Sequence, residues 1–409
     1  MTSGEWVVLA GIVIAVALGT VLLTPISGNG SGDNGDAGDV RGVSIMLDAQ
    51  LVADEHVDDE DTSVEGGTPN VYGDHFSTYH CRLNKRPGSL PSFMVIGVHK
   101  GGSTALYGYL AKHGHIRPAK CKETLFFESQ SRWKKGLDYY QRLFPKTNST
   151  PGIITGEGTP GYIRRPVAVV RISETVPHAK FIVSFRDPVE RFISHFVGFN
   201  KKNRIIGTCM GHFSELREKL DACVDNYKPE EHVPILTDLN GETAWDALQR
   251  FADPSMLAET LNGKIAPSRA NQSTCNVHDA QCKRRYCFGI KEHMESAIGR
   301  SVYVDQLVRW LRFFPPDQIL IIQSEAMYKD VPGTLNLVAQ FLGLRPFTDD
   351  EIVSFSRTNT GSNHHGMQLS ETCDRPTLGQ FFAPENELLE AVVKAQFPDA
   401  FARWMPWQR

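Results

Sequence analysis

The stretch FMVIGVHKGGSTALYGYLAKH, Phe93 to His113, decides the fold. Phe93–Val98 is a short unbroken apolar run, the pattern of a strand covered on both faces. From Thr104 to Lys112 the spacing becomes helical. Between them sit His99, Lys100, Gly101, Gly102 and Ser103. The backbone N–H groups of such a turn, with the helix N-terminus behind them, make an anion site. Gly101 and Gly102 allow positive φ and close backbone approach. Lys100 supplies charge, and Ser103 and Thr104 supply hydroxyl donors. A nucleoside triphosphate loop reads GxxxxGK[ST], with the lysine after the last glycine. Here the lysine precedes both glycines, so a kinase-type nucleotide loop lacks its key cation.

Two further apolar runs, Lys180–Phe185 and Gln318–Gln323, read as buried strands, each flanked by helical patterns at Val189–Phe196 and Tyr303–Phe313. Strands alternating with helices predict an α/β domain with a parallel sheet. Ligands of such sheets sit at the carboxyl ends of the strands. The second run ends in Arg186-Asp187-Pro188, and Pro188 suits a first helical turn. Arg191 and Ser194 follow at helical spacing. Arg186, as a planar fork, and Ser194 are placed to hold a second phosphate. One ligand with two separated anionic groups is the implication. Residues 200–290 carry weaker signals and read as an insertion or a substrate-facing region.

The charge is divided unevenly. Residues 1–74 hold thirteen acids and one base, Arg41, so the other 335 residues carry 34 acids and 42 bases. A basic body suits an anionic cofactor or substrate. Trp6 to Leu23 is uncharged and apolar or small, long enough for the roughly 17–25 residues of a membrane span. The leading MTSGE has no basic residue, unlike a cleaved signal peptide. The expected organisation is a tail at 1–5, a transmembrane signal anchor at 6–24, an acidic disordered stem at 25–80 and one folded domain at 81–409. Eight cysteines, all after the anchor, and the sequons at Asn148 and Asn271 favour a lumenal, disulfide-forming compartment. Their pairing is open at this level. Cys275–Cys287 lacks the spacing of a zinc knuckle and reads as a disulfide-bearing loop.

VIGVHKGGSTALYGYL and RDPVERFISHF resemble the two cofactor signatures of the sulfotransferases, more narrowly the Golgi carbohydrate sulfotransferases. The resemblance covers roughly 90–345. It implies a P-loop-NTPase-like domain, a central parallel sheet flanked by helices, and 3′-phosphoadenylyl sulfate (PAPS) as sulfate donor without a metal. Lys100, Gly101, Gly102, Ser103, Thr104 and Ala105 would hold the 5′-phosphosulfate, and Arg186 and Ser194 the 3′-phosphate. KETLFFES, Lys122–Ser129, is similar to the segment that supplies the family's catalytic base, here Glu123. GEGTPGYI, Gly156–Ile163, resembles a substrate segment, which puts Glu157 on the acceptor side. Gly158 stands where the heparan branches carry a lysine. LGQFFAPENELLEAV, Leu378–Val392, leans toward the branch that 6-O-sulfates chondroitin-type chains.

The expectation is sulfuryl transfer to a glycan hydroxyl, with Glu123 as base and Lys100 stabilising the leaving group. Arg164 and Arg165, Lys201–Arg204 and Lys283–Arg285 are candidates to grip a polyanionic chain. A single-pass Golgi membrane protein with a lumenal catalytic domain is implied, with a polysaccharide partner and no nucleic acid. Protein tyrosine as acceptor, a kinase, and a silent binding protein are the alternatives.

Overall fold

A computed structural model describes residues 6–9, 12–17, 20–25, 81, 83–147, 150–200, 204–226, 283–284, 287–288, 296–353 and 370–407. The chain divides into two compact units, Met1–Val64 and Glu65–Arg409.

The first unit holds three antiparallel strands, β1 (Trp6–Leu9), β2 (Ile12–Ala17) and β3 (Thr20–Pro25). A transmembrane helix was expected over 6–24. The described residues of this run pair as strands, and no described helix is long and apolar enough to cross a membrane. The local cause is composition. Val7, Val8, Ile12, Val13, Ile14, Val16, Thr20, Val21 and Thr24 are β-branched, stiff at χ1 and better suited to a pleated surface than to a helix. The predicted stem, apart from Pro25, lies outside the described residues.

The second unit is built on five strands: β4 (Phe93–Gly97), β5 (Ile116–Pro118), β6 (Ile154–Glu157), β7 (Lys180–Phe185) and β8 (Ile319–Gln323). All pairings are parallel, in the order β5-β6-β4-β7-β8. The main helices are α1 (Ser103–Leu110), α2 (Pro166–Thr175), α3 (Pro188–Asn200), α4 (Cys209–Asp225), α5 (Val304–Leu311), α6 (Val331–Leu342) and α7 (Arg375–Gln396).

Side chains alternate across the sheet. Met94, Ile96, Phe181, Val183, Ile319 and Ile321 enter one apolar layer, with residues of α2, α3, α5 and α7. Phe93, Val95, Ile182, Leu320 and Ile322 enter the other, with residues of α1 and α6. Both faces are dry, so the strands read as continuous apolar runs rather than alternating ones. Trp310 of α5 is fully buried, donates its indole N–H to Ile163 O at 3.1 Å and packs edge-on to Phe181.

This order places the site. From β4 the chain leaves through α1 toward β5, and from β7 it leaves through α3 toward β8. These neighbouring strands send their chains in opposite directions. That is a topological switch point, where a crevice opens beyond the strand ends. The Lys100 turn and the Arg186 turn flank it. Among the described residues, three disulfides tie surrounding segments: Cys81–Cys121, Cys209–Cys373 and Cys223–Cys287.

Candidate active site

The first turn is held in place by its neighbour strand. Ser184 donates its hydroxyl to Gly101 O at 2.6 Å, and Val98 N donates to Ser184 O at 3.2 Å. Gly101 N closes the turn on Val98 O at 2.9 Å. A Cβ at Gly101 would lie 2.4 Å from Ser184 O, so only glycine fits. Gly102 occupies the N-cap of α1 with φ 82°, and no side chain caps the helix. The first N–H groups of α1 therefore have no side-chain cap, which suits them to an anion. Ser103 is buried and Thr104 and Ala105 are half-buried along the same first turn. Lys100 is exposed and has φ 70°, a conformation that costs a non-glycine residue about 1 kcal/mol. Such strain clusters where a side chain must be aimed.

The second turn is built differently. Asp187 accepts from Val189 N and Glu190 N at 2.8 and 3.2 Å, capping α3. Its own N–H donates to Glu325 Oε1 at 2.9 Å. The α3 terminus is thus occupied, and charge for an anion here must come from side chains. Arg186 is half-buried and donates to Lys100 O at 3.1 Å, which joins the two turns directly. Tyr303 OH donates to Arg186 O at 3.0 Å. Ser194 lies two turns along α3, half-buried.

The charges acting on the two buried histidines are cations, although Asp187 and Glu325 also stand at the second turn. His99 is held well below the usual imidazole range by burial and then by Arg300, Arg164, Lys122 and Arg191. His195 is lowered likewise by burial, then by Arg191, Arg300 and Lys100 among others. Both rings are neutral near pH 7, and His195 stacks on Phe199 with centroids 4.3 Å apart. Arg191 is fully buried, bonded to Ser301 Oγ and Ala297 O, with Nη1 lacking a hydrogen-bond partner. A glycine cradle, a helix terminus without a side-chain cap and a surplus of positive charge together fit a ligand with two anionic groups.

The third component lies beyond β5 and β6. Lys122 is fully buried, and its ammonium sits 2.6 Å from Glu123 Oε1 and 2.9 Å from Gly158 O. Position 158, where the heparan branches carry a lysine, therefore still meets an ammonium, delivered by Lys122 to the Gly158 carbonyl. Glu123 is largely buried against it. Lys122 is also among the cations that lower His99.

Glu157 has a different setting from Glu123. It is fully buried at the end of β6 and accepts from Tyr140, Thr159, Thr124 and Tyr162 hydroxyls at 2.6, 2.6, 2.8 and 3.1 Å. Four hydroxyls leave its oxygens little capacity for an acceptor sugar. Burial raises its carboxyl above the usual range, while the hydroxyl bonds pull it back. A raised folded value means stability that is complete below the unfolded pKa, about 4.3, and lost as pH rises through the folded one. Glu157→Gln is therefore expected to lose more melting temperature relative to wild type at pH 5 than at pH 8. Thermal melts across that range check it, and a deficit that grows with pH would refute this role. Glu157→Ala is expected to cost about 3 kcal/mol or more, because it leaves buried hydroxyls without their acceptor at about 1–3 kcal/mol each.

Arg164 is nearly buried and contributes to the field at His99, while Arg165 stands half-buried at the N-cap of α2. Asn148, Asn271, residues 201–203 and Arg285 lie outside the described residues. No group of three or more His, Cys, Asp or Glu able to hold a metal occurs among the described residues. Arg300, Tyr303 and Glu325 enter the site without a local motif to announce them, whereas Lys122 and Arg191 lie inside segments the sequence singled out without a role assigned to them.

Comparison with known proteins gives a family. A sulfotransferase domain model matches residues 90–371. The membrane-associated sulfotransferase kil1 of Dictyostelium discoideum is 27% identical over 62% of this chain and 56% of its own length. The human heparan sulfate glucosamine 3-O-sulfotransferase 3A1 is 29% identical over 68% of this chain and 50% of its own. The chain thus spans about half the length of the curated relatives it matches. A solved sulfotransferase from Alicyclobacillus acidocaldarius aligns over 76% of this chain and 99% of that one, with TM-score 0.45 and 19% identity.

Proposed function

This chain belongs to the sulfotransferase domain family, and on that premise we propose that it transfers a sulfuryl group from 3′-phosphoadenylyl sulfate to a glycan hydroxyl by in-line displacement. The observation that carries the reading is the pair of anion seats at the switch point. One is the Gly101–Gly102 cradle on the α1 terminus, the other is Arg186 with Ser194, and they are joined by the Arg186–Lys100 bond. When bound, the sulfonucleotide supplies the sulfuryl group and departs as adenosine 3′,5′-bisphosphate.

The protein's part is positioning and charge. The α1 N–H groups, Ser103 and Thr104 orient the phosphosulfate end. Lys100 offsets the negative charge that grows on the leaving oxygen. Arg186 and Ser194 fix the 3′-phosphate and with it the register of the nucleotide. Glu123, held by the Lys122 ammonium, accepts the proton of the attacking hydroxyl. Glu157 holds Thr124 and Thr159 beside it rather than meeting the acceptor.

A glycan acceptor follows from the basic body and from the named substrate of the human relative. The leaning of the Leu378–Val392 segment toward the chondroitin branch gains no support from the relatives reported, so a heparan-type polymer is the first acceptor to test. Arg165, half-buried at the start of α2, and the more deeply set Arg164 remain proposed contacts for it.

The proposed setting is the Golgi lumen, with the folded domain over 81–409 tethered through the apolar N-terminal run. The three disulfides favour an oxidising compartment. The full chain is expected to stay in the membrane pellet after an alkaline carbonate wash of cell membranes. Release into the supernatant would dismiss the tether.

A further inference from the structure

We propose that Gly198 is a positioning residue for Lys100, and that it sets where the loop lysine's ammonium rests between the two anion seats. The inference rests on the sulfonucleotide reading above.

Gly198 lies inside α3, four residues after Ser194 and therefore on the same helix face. A glycine inside a helix costs roughly 0.5–1 kcal/mol relative to alanine, so its presence asks for a reason. An added Cβ there would stand 2.9 Å from Lys100 Nζ and 3.3 Å from Lys100 Cε, and no other atom is that near. The bare backbone is thus the surface on which the Lys100 stem and ammonium lie. Those are closer than carbon–nitrogen and carbon–carbon contacts normally allow. The lysine would have to move, while the helix would not.

The direction of Lys100 is fixed from both ends. Its backbone is held at φ 70° by the turn, and Arg186 holds its carbonyl at 3.1 Å. From this anchor the side chain runs across to α3, whose last turn carries the negative end of the helix dipole. The ammonium comes to rest one helical turn beyond Ser194. A side chain at 198 would displace it from that line. Lys100 then loses its common reach to the phosphosulfate and 3′-phosphate seats, although nothing in the core is touched.

The consequence is a substitution with opposite signs on stability and binding. In the full chain, Gly198→Ala is expected to keep or raise the melting temperature. It is expected to weaken binding of adenosine 3′,5′-bisphosphate by about tenfold, within the range of couplings between contacting residues. In a Lys100→Ala background the same change is expected to have no further effect on that affinity. Acetylation of Lys100 by an amine-reactive ester, followed by peptide mass spectrometry, is expected to quicken in Gly198→Ala.

Unchanged affinity in Gly198→Ala would overturn the inference. So would an equal loss in the Lys100→Ala background, or a fall in melting temperature alongside weaker binding, since either marks a merely structural effect. If wild type itself fails to bind the bisphosphate, the sulfonucleotide reading falls. The labelling rate then still decides the seat, and an unchanged rate removes it.

Discussion

Lys100→Ala is expected to lower kcat/KM for sulfuryl transfer by about 10²–10³-fold, the scale seen when one preorganised charge or donor is removed from a transition state. Lys100 is the one lysine of the turn. It is exposed at the crevice, aimed by a left-handed backbone, and tied through its carbonyl to Arg186. A charge that meets both the bound nucleotide and the developing leaving oxygen should act on nucleotide affinity, by about tenfold or more, and on kcat as well. Lys100→Arg keeps the charge, but its planar fork is longer and differently hydrated, so partial rescue is expected. Steady-state kinetics with varied sulfonucleotide separates the two parameters. Activity of Lys100→Ala within twofold of wild type would remove the lysine from the reaction.

Glu123→Gln is expected to cut kcat by about 10²–10⁴-fold with little change in fold, as for loss of a general base. The amide keeps the shape and can still accept from the Lys122 ammonium, now 2.6 Å from the carboxylate. What it loses is the capacity to take a proton. Lys122→Met is the complementary change. It leaves a buried carboxylate without its counter-charge, and breaking such a pair costs about 3–5 kcal/mol. The two variants should therefore part company: Glu123→Gln folded and slow, Lys122→Met unstable. Melts and single-turnover rates together check this. A fast Glu123→Gln enzyme would mean that another group receives the proton.

The parts of this protein legible in its sequence are those with local causes. β4, β7 and β8 announced themselves because both sheet faces are covered and the strands are unbroken apolar runs. β5 is three residues with Pro118 at its end, and β6 is Ile-Thr-Gly-Glu. Neither is long or apolar enough to be told from a loop, and only pairing with β4 on one side and β5 on the other makes β6 a strand. The Lys100 turn and the Arg186 turn were readable because their glycines, proline and charges stand next to one another in the chain. Their joining by one hydrogen bond was not.

The acidic residues were harder. Glu123 and Glu157 look alike in sequence, each in a short polar segment. Tertiary packing separates them: one meets a buried ammonium, the other four hydroxyls contributed by Thr124, Tyr140, Thr159 and Tyr162. Gly198 carries no sequence signal beyond being a glycine in a helix. Its meaning comes from a lysine 98 positions earlier.

The central claim is that the two seats at the switch point hold a sulfonucleotide for transfer to a glycan. Its most direct test is transfer of radiolabelled sulfate from 3′-phosphoadenylyl sulfate to a panel of desulfated glycosaminoglycans by the purified full chain, beside Arg186→Ala and Lys100→Ala. Label incorporated into a polysaccharide by wild type, and lost in both variants, is the result the account predicts. No incorporation into any polymer of the panel, or incorporation that survives both substitutions, would contradict it.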